Sequence, residues 1–187
     1  MKIAFRTHDL GVKGLDAAVE KMKDCGISAV QLVAYKFMDE IKYVPGGIDG
    51  QYAVHIGKTL KDNGISIGLI GAYFNPVHSD KEKVARCKEV FKEYLKYSHL
   101  LGCPVVGSET GSFNDDKWTY NPLNRTGEAL ATVIETFREL ADYAKSVNAC
   151  IGMEGAAGHV CDDGGTLKRA IDGITADNVK VIFDIYN

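Results

Sequence analysis

The chain has 187 residues, 45% of them hydrophobic and 25% charged, with a formal net charge of -3. Such values describe one soluble globular domain with a substantial core, and they leave no basic stripe for nucleic acid and no run near the roughly 18 to 20 apolar residues that a membrane helix needs. Five scattered cysteines, Cys25, Cys87, Cys103, Cys150 and Cys161, contain no CxxC pair and match neither a disulfide framework nor a cysteine-rich zinc site; with Arg6, His8 and Asp9 interrupting any signal-like core, the expected setting is reducing and cytoplasmic.

In chain order, KIAFRTH predicts a first strand. GLDAAVEKMKDCG follows as a helix, because Leu15, Ala18, Val19 and Met22 recur at helical spacing and Gly26 suits a C-terminal cap. AVQLVA is a second strand; after the Gly-rich loop VPGGIDG, QYAVHIGKTLKDNG repeats the helix-plus-glycine ending. SIGLIGAYF is a third strand, followed by a long helix from about Lys81 to Leu101 closed by Gly102. PVVGSET is a fourth strand and leads into the polar loop GSFNDDKWTYNPLNRTG, whose length is more typical of function than of connection. TGEALATVIETFRELADYAKSVN is a strong helix with Thr126 as N-cap and Ala129, Val133, Phe137, Leu140 and Ala144 on its buried stripe. CIGMEG, the helix GTLKRAIDGI and the strand VKVIFD complete the series.

Strands that are short, nearly continuous in apolar residues and separated by helices predict a parallel sheet covered on both faces. The doubly wound sheet and the eight-stranded barrel both fit. HDLGVKG follows the first strand where a dinucleotide fold would carry GxGxxG, and no GxxxxGK[ST] occurs, so neither common phosphate-cradling signal is present. Polar groups fall at one end of all six strands: His8 and Asp9, Tyr35 and Lys36, Asn75 and His78, Glu109, Glu154, and Asp184. In parallel β/α folds that end is the active face.

Glu154 and Asp184 each follow apolar residues that should be buried, and Thr166 is available to cap the helix after Glu154, so capping need not explain that carboxylate. Neighbouring parallel strands lie about 4.8 Å apart. Carboxylates at equivalent depth would therefore either share a hard divalent cation or repel and raise one pKa. A metal-free acid pair of glycosidase type, with Glu109 and Glu154 about 5 to 9 Å apart, is the other chemistry open to them.

Taken together, GAYFNPVHSD, SETGSFN with Trp118 and NPLNRT after it, IGMEG and VIFDIYN resemble, in order and spacing along the whole chain, the sugar isomerases and epimerases of the xylose-isomerase-like barrel family. The resemblance implies an incomplete (β/α)8 TIM-type barrel of about six parallel strands with five intervening helices, one domain over residues 1–187 lacking the region for strands seven and eight. It implies a divalent metal, commonly manganese, with Glu154 and Asp184 as two of its four ligands and Glu154 also as acid/base. The chemistry implied is metal-assisted proton transfer on a small sugar or sugar phosphate. Alternatives are an endonuclease IV-like phosphodiester hydrolase, which the acidic balance disfavours, and non-catalytic sugar binding.

His8, Asn75, Glu109, Trp118 and His159 are the candidate substrate contacts, Trp118 as a wall for an apolar sugar face and His159 either as a ligand contact or as a surface loop residue. His55 and His99 lie within predicted helices and are read as structural or exposed. Six strands leave two open edges, which predicts homo-oligomer formation. Two protein ligands predict weak manganese binding and an inactive chain in isolation.

Overall fold

The computed structural model describes residues 3–184. Six parallel strands form one sheet in the order β1-β2-β3-β4-β5-β6: β1 Phe5–Arg6, β2 Ala29–Leu32, β3 Ser66–Gly71, β4 Val105–Glu109, β5 Cys150–Glu154 and β6 Val179–Ile182. A doubly wound sheet would reverse its order at a switch point. This order runs in one direction throughout, as it does in a barrel wall, and the fold is an incomplete (β/α)8 barrel. Six helices fill the crossovers rather than five: α1 Leu15–Asp24, α2 Ala34–Phe37, α3 Gly50–Asp62, α4 Lys81–Leu101, α5 Gly127–Ser146 and α6 Gly164–Ile174. The extra one, α2, is a single turn within the β2–α3 connection. It takes up Ala34, which the apolar run AVQLVA assigns to the strand.

Strand ends are shorter than the apolar runs suggest. The strand predicted for KIAFRTH, of which Lys2 lies outside the described residues, narrows to Phe5–Arg6, and Thr7–Asp9 turn as a 3-10 helix. Ala72, Tyr73 and Phe74 leave β3 to enter the cleft and the layer beneath it. Capping follows local chemistry: Thr126 accepts from the amide of Ala129, and Gly102 closes α4 at φ 87°. For α6 the cap is Asp163, which accepts from the amide of Thr166, so Thr166 is not the N-cap. The Asp163 carboxylate accepts from the amide three residues on, as an N-cap does, and Thr166 lies within the first turn.

The core lies between the sheet and its helices. Phe74 packs against Phe91 of α4 and Phe137 of α5, with ring centroids 5.7 and 6.1 Å apart. Inside the barrel wall, period-two alternation stacks Leu69, Gly107, Gly152 and Ile182 in one layer. A Cβ at Gly107 would lie 2.7 Å from Ile182 Cδ1, and one at Gly152 2.9 Å from it, so the two glycines admit the isoleucine. The next inward-facing positions along β4 and β5 are Glu109 and Glu154, raised on this apolar floor.

Candidate active site

Each strand or its following loop contributes to one cleft of about 520 Å³ at the C-terminal ends of the strands. Arg6 and Gln31, partners in the β1–β2 register, form one wall with His8. Tyr35, Lys36 and Tyr73 form the next, Trp118 stands on the long loop after β4, and Glu109, Glu154 and Asp184 complete the ring.

Glu109 and Glu154 are directly paired in the β4–β5 register. Asp184 stands two residues beyond Ile182, the β6 partner of Glu154, and shares a hydrogen bond with Glu154. Burial first, then the charge of Glu109 and the hydrogen bond and charge of Asp184, push the Glu154 carboxyl up to about 7, against the pull of Tyr73. Glu109 is also raised, chiefly by burial, with Lys36 opposing. The repulsion expected of converging acids is therefore present, and it is the environment in which a cation would be stabilised.

Among the described residues no group of three or more His, Cys, Asp or Glu side chains is arranged to hold a metal ion. The oxygen donors of Glu154 and Asp184 fit two positions of a hard divalent cation.

The remaining predicted residues divide by location. His8 lines the cleft; burial and the charge of Lys36 lower its pKa, and its Nδ1 is buried without a hydrogen-bond partner. Asn75 lies outside the cleft, since its amide donates to the carbonyls of Ser112 (2.6 Å) and Asp115 (2.9 Å) and its oxygen accepts from the amides of Val77 and Ser112. It builds the long loop and is not placed to contact a ligand in the cleft. His159 is 4% exposed, which corrects the surface reading. Its Nε2 meets the carbonyl of Trp118 at 3.2 Å, its ring lies 5.5 Å from the indole, and its Nδ1 stands 3.7 Å from Glu109 Oε2, behind the cleft wall. His55 and His99 sit on exposed helix faces, away from the cleft.

The long loop is fixed at several points. Asn124, 1% exposed, donates to Ser112 Oγ and the carbonyl of Gly158 and accepts from the amide of Phe113. Asp115 accepts from both the amide and hydroxyl of Ser79 at 2.8 Å, and Asp116 pairs with Lys83. Asp115 and Trp118 adopt φ of 53° and 52°, a left-handed geometry that costs a non-glycine residue energy and persists where surroundings enforce it.

Sequence reading by strand ends missed Arg6, Gln31 and Tyr73. The first two were accessible through strand alternation, because they share a register pair and face inward. Tyr73 lies past the strand end, and only its position two residues after Gly71 connects it to that face.

Residues 19–187 match the family described as xylose isomerase-like TIM barrel, and the chain belongs to it. No curated protein matches the chain. Among solved structures, D-psicose 3-epimerase in the presence of D-fructose is 19% identical with a TM-score of 0.72, over 97% of this chain and 62% of that one. A xylose isomerase-like TIM barrel protein from Mycobacterium smegmatis in complex with magnesium is 14% identical, with a TM-score of 0.74 over 98% of this chain and 64% of that one. The IOLI protein with a bound zinc atom is 15% identical, with a TM-score of 0.75 over 100% of this chain and 63% of that one. These likenesses establish the fold. The chain spans less than two thirds of the length of each of these structures.

Proposed function

We propose that these residues form part of the active site of a sugar isomerase or epimerase that works by metal-assisted proton transfer on a small sugar or sugar phosphate. The observation that supports this most is the convergence of Glu109, Glu154 and Asp184 on one cleft, with Glu154 raised to about 7. A carboxyl titrating near neutrality can both accept and return a proton at working pH. Family membership and the likeness to an epimerase studied with D-fructose favour sugar chemistry over the glycosidase and endonuclease readings.

Glu154 and Asp184 would hold the divalent cation, for which manganese is the expectation. When bound, such a cation supplies Lewis acidity toward a carbonyl oxygen. Glu154 takes the proton from carbon next to the carbonyl and returns it. Glu109, His8 and Lys36 bind hydroxyl groups or a terminal anionic group, and Trp118 covers an apolar sugar face. The same reading takes residues 1–187 as a single barrel domain to which strands seven and eight would add the remaining ligands.

The test is exchange of carbon-bound hydrogen in D2O, followed by NMR on a panel of ketoses and aldoses with Mn2+ present. In a barrel that carries the remaining ligands, deuterium entering beside the carbonyl, and not entering with its Glu154→Gln variant or with residues 1–187 alone, is the expected result; no exchange with any sugar by that complete barrel, despite saturable sugar binding, would leave a binding protein instead. Titration calorimetry should give a weak Mn2+ affinity, on the order of 10⁻⁴ M or poorer, lost in Asp184→Asn.

A further inference from the structure

Tyr73 is held more firmly than a residue that merely walls an open cleft would need to be. Its ring lies back over Gly71, where a Cβ would come within 2.6 Å of ring carbon Cε2 and 2.8 Å of Val33 Cγ2. A side chain at position 71 would displace the ring. The backbone around Tyr73 is fixed as well: the Tyr43 hydroxyl donates to the carbonyl of Ala72 at 3.1 Å, the tilted rings of Tyr43 and Tyr35 pack 4.6 Å apart between centroids, and Tyr35 hydrogen-bonds the backbone of Tyr73. Lys36 Nζ stands 5.7 Å from the ring centroid, within the range of a cation–π contact.

The polar end of Tyr73 is equally determined. Gln31 Nε2 donates to the phenolic oxygen, which leaves the single phenolic proton for another partner. Glu154 Oε2 lies 3.3 Å away. The chain of donation therefore runs from Gln31 to Tyr73 to Glu154. A glutamate's terminal torsion is broad and intrinsically undecided, so a donated hydrogen bond to one oxygen fixes the plane of the carboxylate.

We infer that Tyr73 is a positioning residue, which with Gln31 behind it sets the orientation in which Glu154 presents its carboxylate to Asp184 and to the cleft. The inference rests on the proposed role of Glu154. It adds a function for two side chains, Gln31 on β2 and Tyr73 just past the end of β3, which the β2–β3 pairing brings together. Replacing the phenol by a phenyl ring keeps the packing over Gly71 and removes the hydroxyl, which is both the donor to Glu154 and the acceptor from Gln31.

The test is Tyr73→Phe in the full chain, read by crystal structure, thermal unfolding and Mn2+ titration. Expected are an unchanged unfolding midpoint, a Glu154 carboxylate rotated from its wild-type plane, and Mn2+ affinity reduced roughly 10- to 100-fold, the usual scale for losing a hydrogen bond that orients a ligand. A Glu154 that keeps its wild-type orientation in Tyr73→Phe overturns the inference, as does unchanged Mn2+ affinity in a chain that binds the ion. Should wild type bind no Mn2+ at millimolar concentration while Glu154 rotates in the variant, the positioning role stands and the proposed metal chemistry falls. Gln31→Met, which leaves the ring and Gly71 untouched, carries the same readouts if Tyr73→Phe does not fold; its expected effect is in the same direction and smaller.

Discussion

His159 shows how a buried imidazole can serve a site without lining it. Its Nε2 contact is a carbonyl, which can only accept, so the proton of the neutral ring sits on Nε2 and Nδ1 turns a lone pair toward Glu109. Burial is the main influence on the group and holds its pKa below the ordinary 6.5. The unfolded chain therefore takes up this proton first as pH falls. By linkage, the stability contributed by the neutral ring is complete above about 6.5 and is lost as pH drops from there through the folded-state value. His8 acts in the same direction, whereas Glu154, raised to about 7, acts oppositely, so total stability does not isolate the effect. The difference between wild type and His159→Gln does. Urea unfolding should show that difference shrinking between pH 7 and pH 5, since glutamine can keep the bond to Trp118 without titrating. A pH-independent difference would show that His159 gains no proton on unfolding. Sequence named His159 as a candidate, yet its burial depends on contacts between the β5–α6 loop and residues 110–118, more than 40 positions away in the case of Trp118. No local pattern reports that.

At the level of elements, the long loop from Gly111 to Thr126 is legible by length and polarity but not in what holds it. Asn75, Asn124 and Asp115, of which sequence singled out Asn75 alone, and as a substrate contact, bind its backbone or anchor it to the start of α4. The order of the strands and the register of Glu109 with Glu154 follow from apolar runs whose two faces are both covered. The strand ends do not, because an apolar residue leaving a strand to pack under a helix looks the same as one still in it; Phe74 and Ala34 are both of this kind. The loop anchors make a specific expectation. Asp115→Ala removes two acceptors from Ser79 and relieves none of the left-handed strain at Trp118, so the loop should open locally while the barrel wall stays closed. Hydrogen exchange should then speed up for amides of residues 112–120, with little change at β4 and β5. Faster exchange throughout the sheet would instead make Asp115 part of the global folding unit.

On the scale of the whole molecule, six strands wound in one direction form a wall with two outer edges. Among the described residues no strand pairs with the free side of β1 or β6. Apolar side chains are exposed at both edges: Ile3 at 79% and Phe5 at 41% at one, Val181 at 51% and Phe183 at 85% at the other. Unpaired backbone groups beside exposed apolar side chains are a template for another strand, and proteins that must stay monomeric usually blunt such edges with charge, proline or a bulge. Arg6 and Lys180 supply some charge, but Arg6 is engaged by Asp9, and the bulge present lies in the interior pairing of β2 with β3. The 187-residue chain is therefore expected to self-associate through these edges. Sedimentation velocity across a concentration series should show the weight-average mass rising above that of the monomer. Val181→Lys combined with Phe5→Lys, which places a charge on each edge strand and leaves the inward-facing layer of Leu69 and Ile182 intact, should return it to the monomer value. A single monomeric species at every concentration would mean that twist and charge already protect the edges, and association that survives both lysines would place the contact elsewhere on the surface.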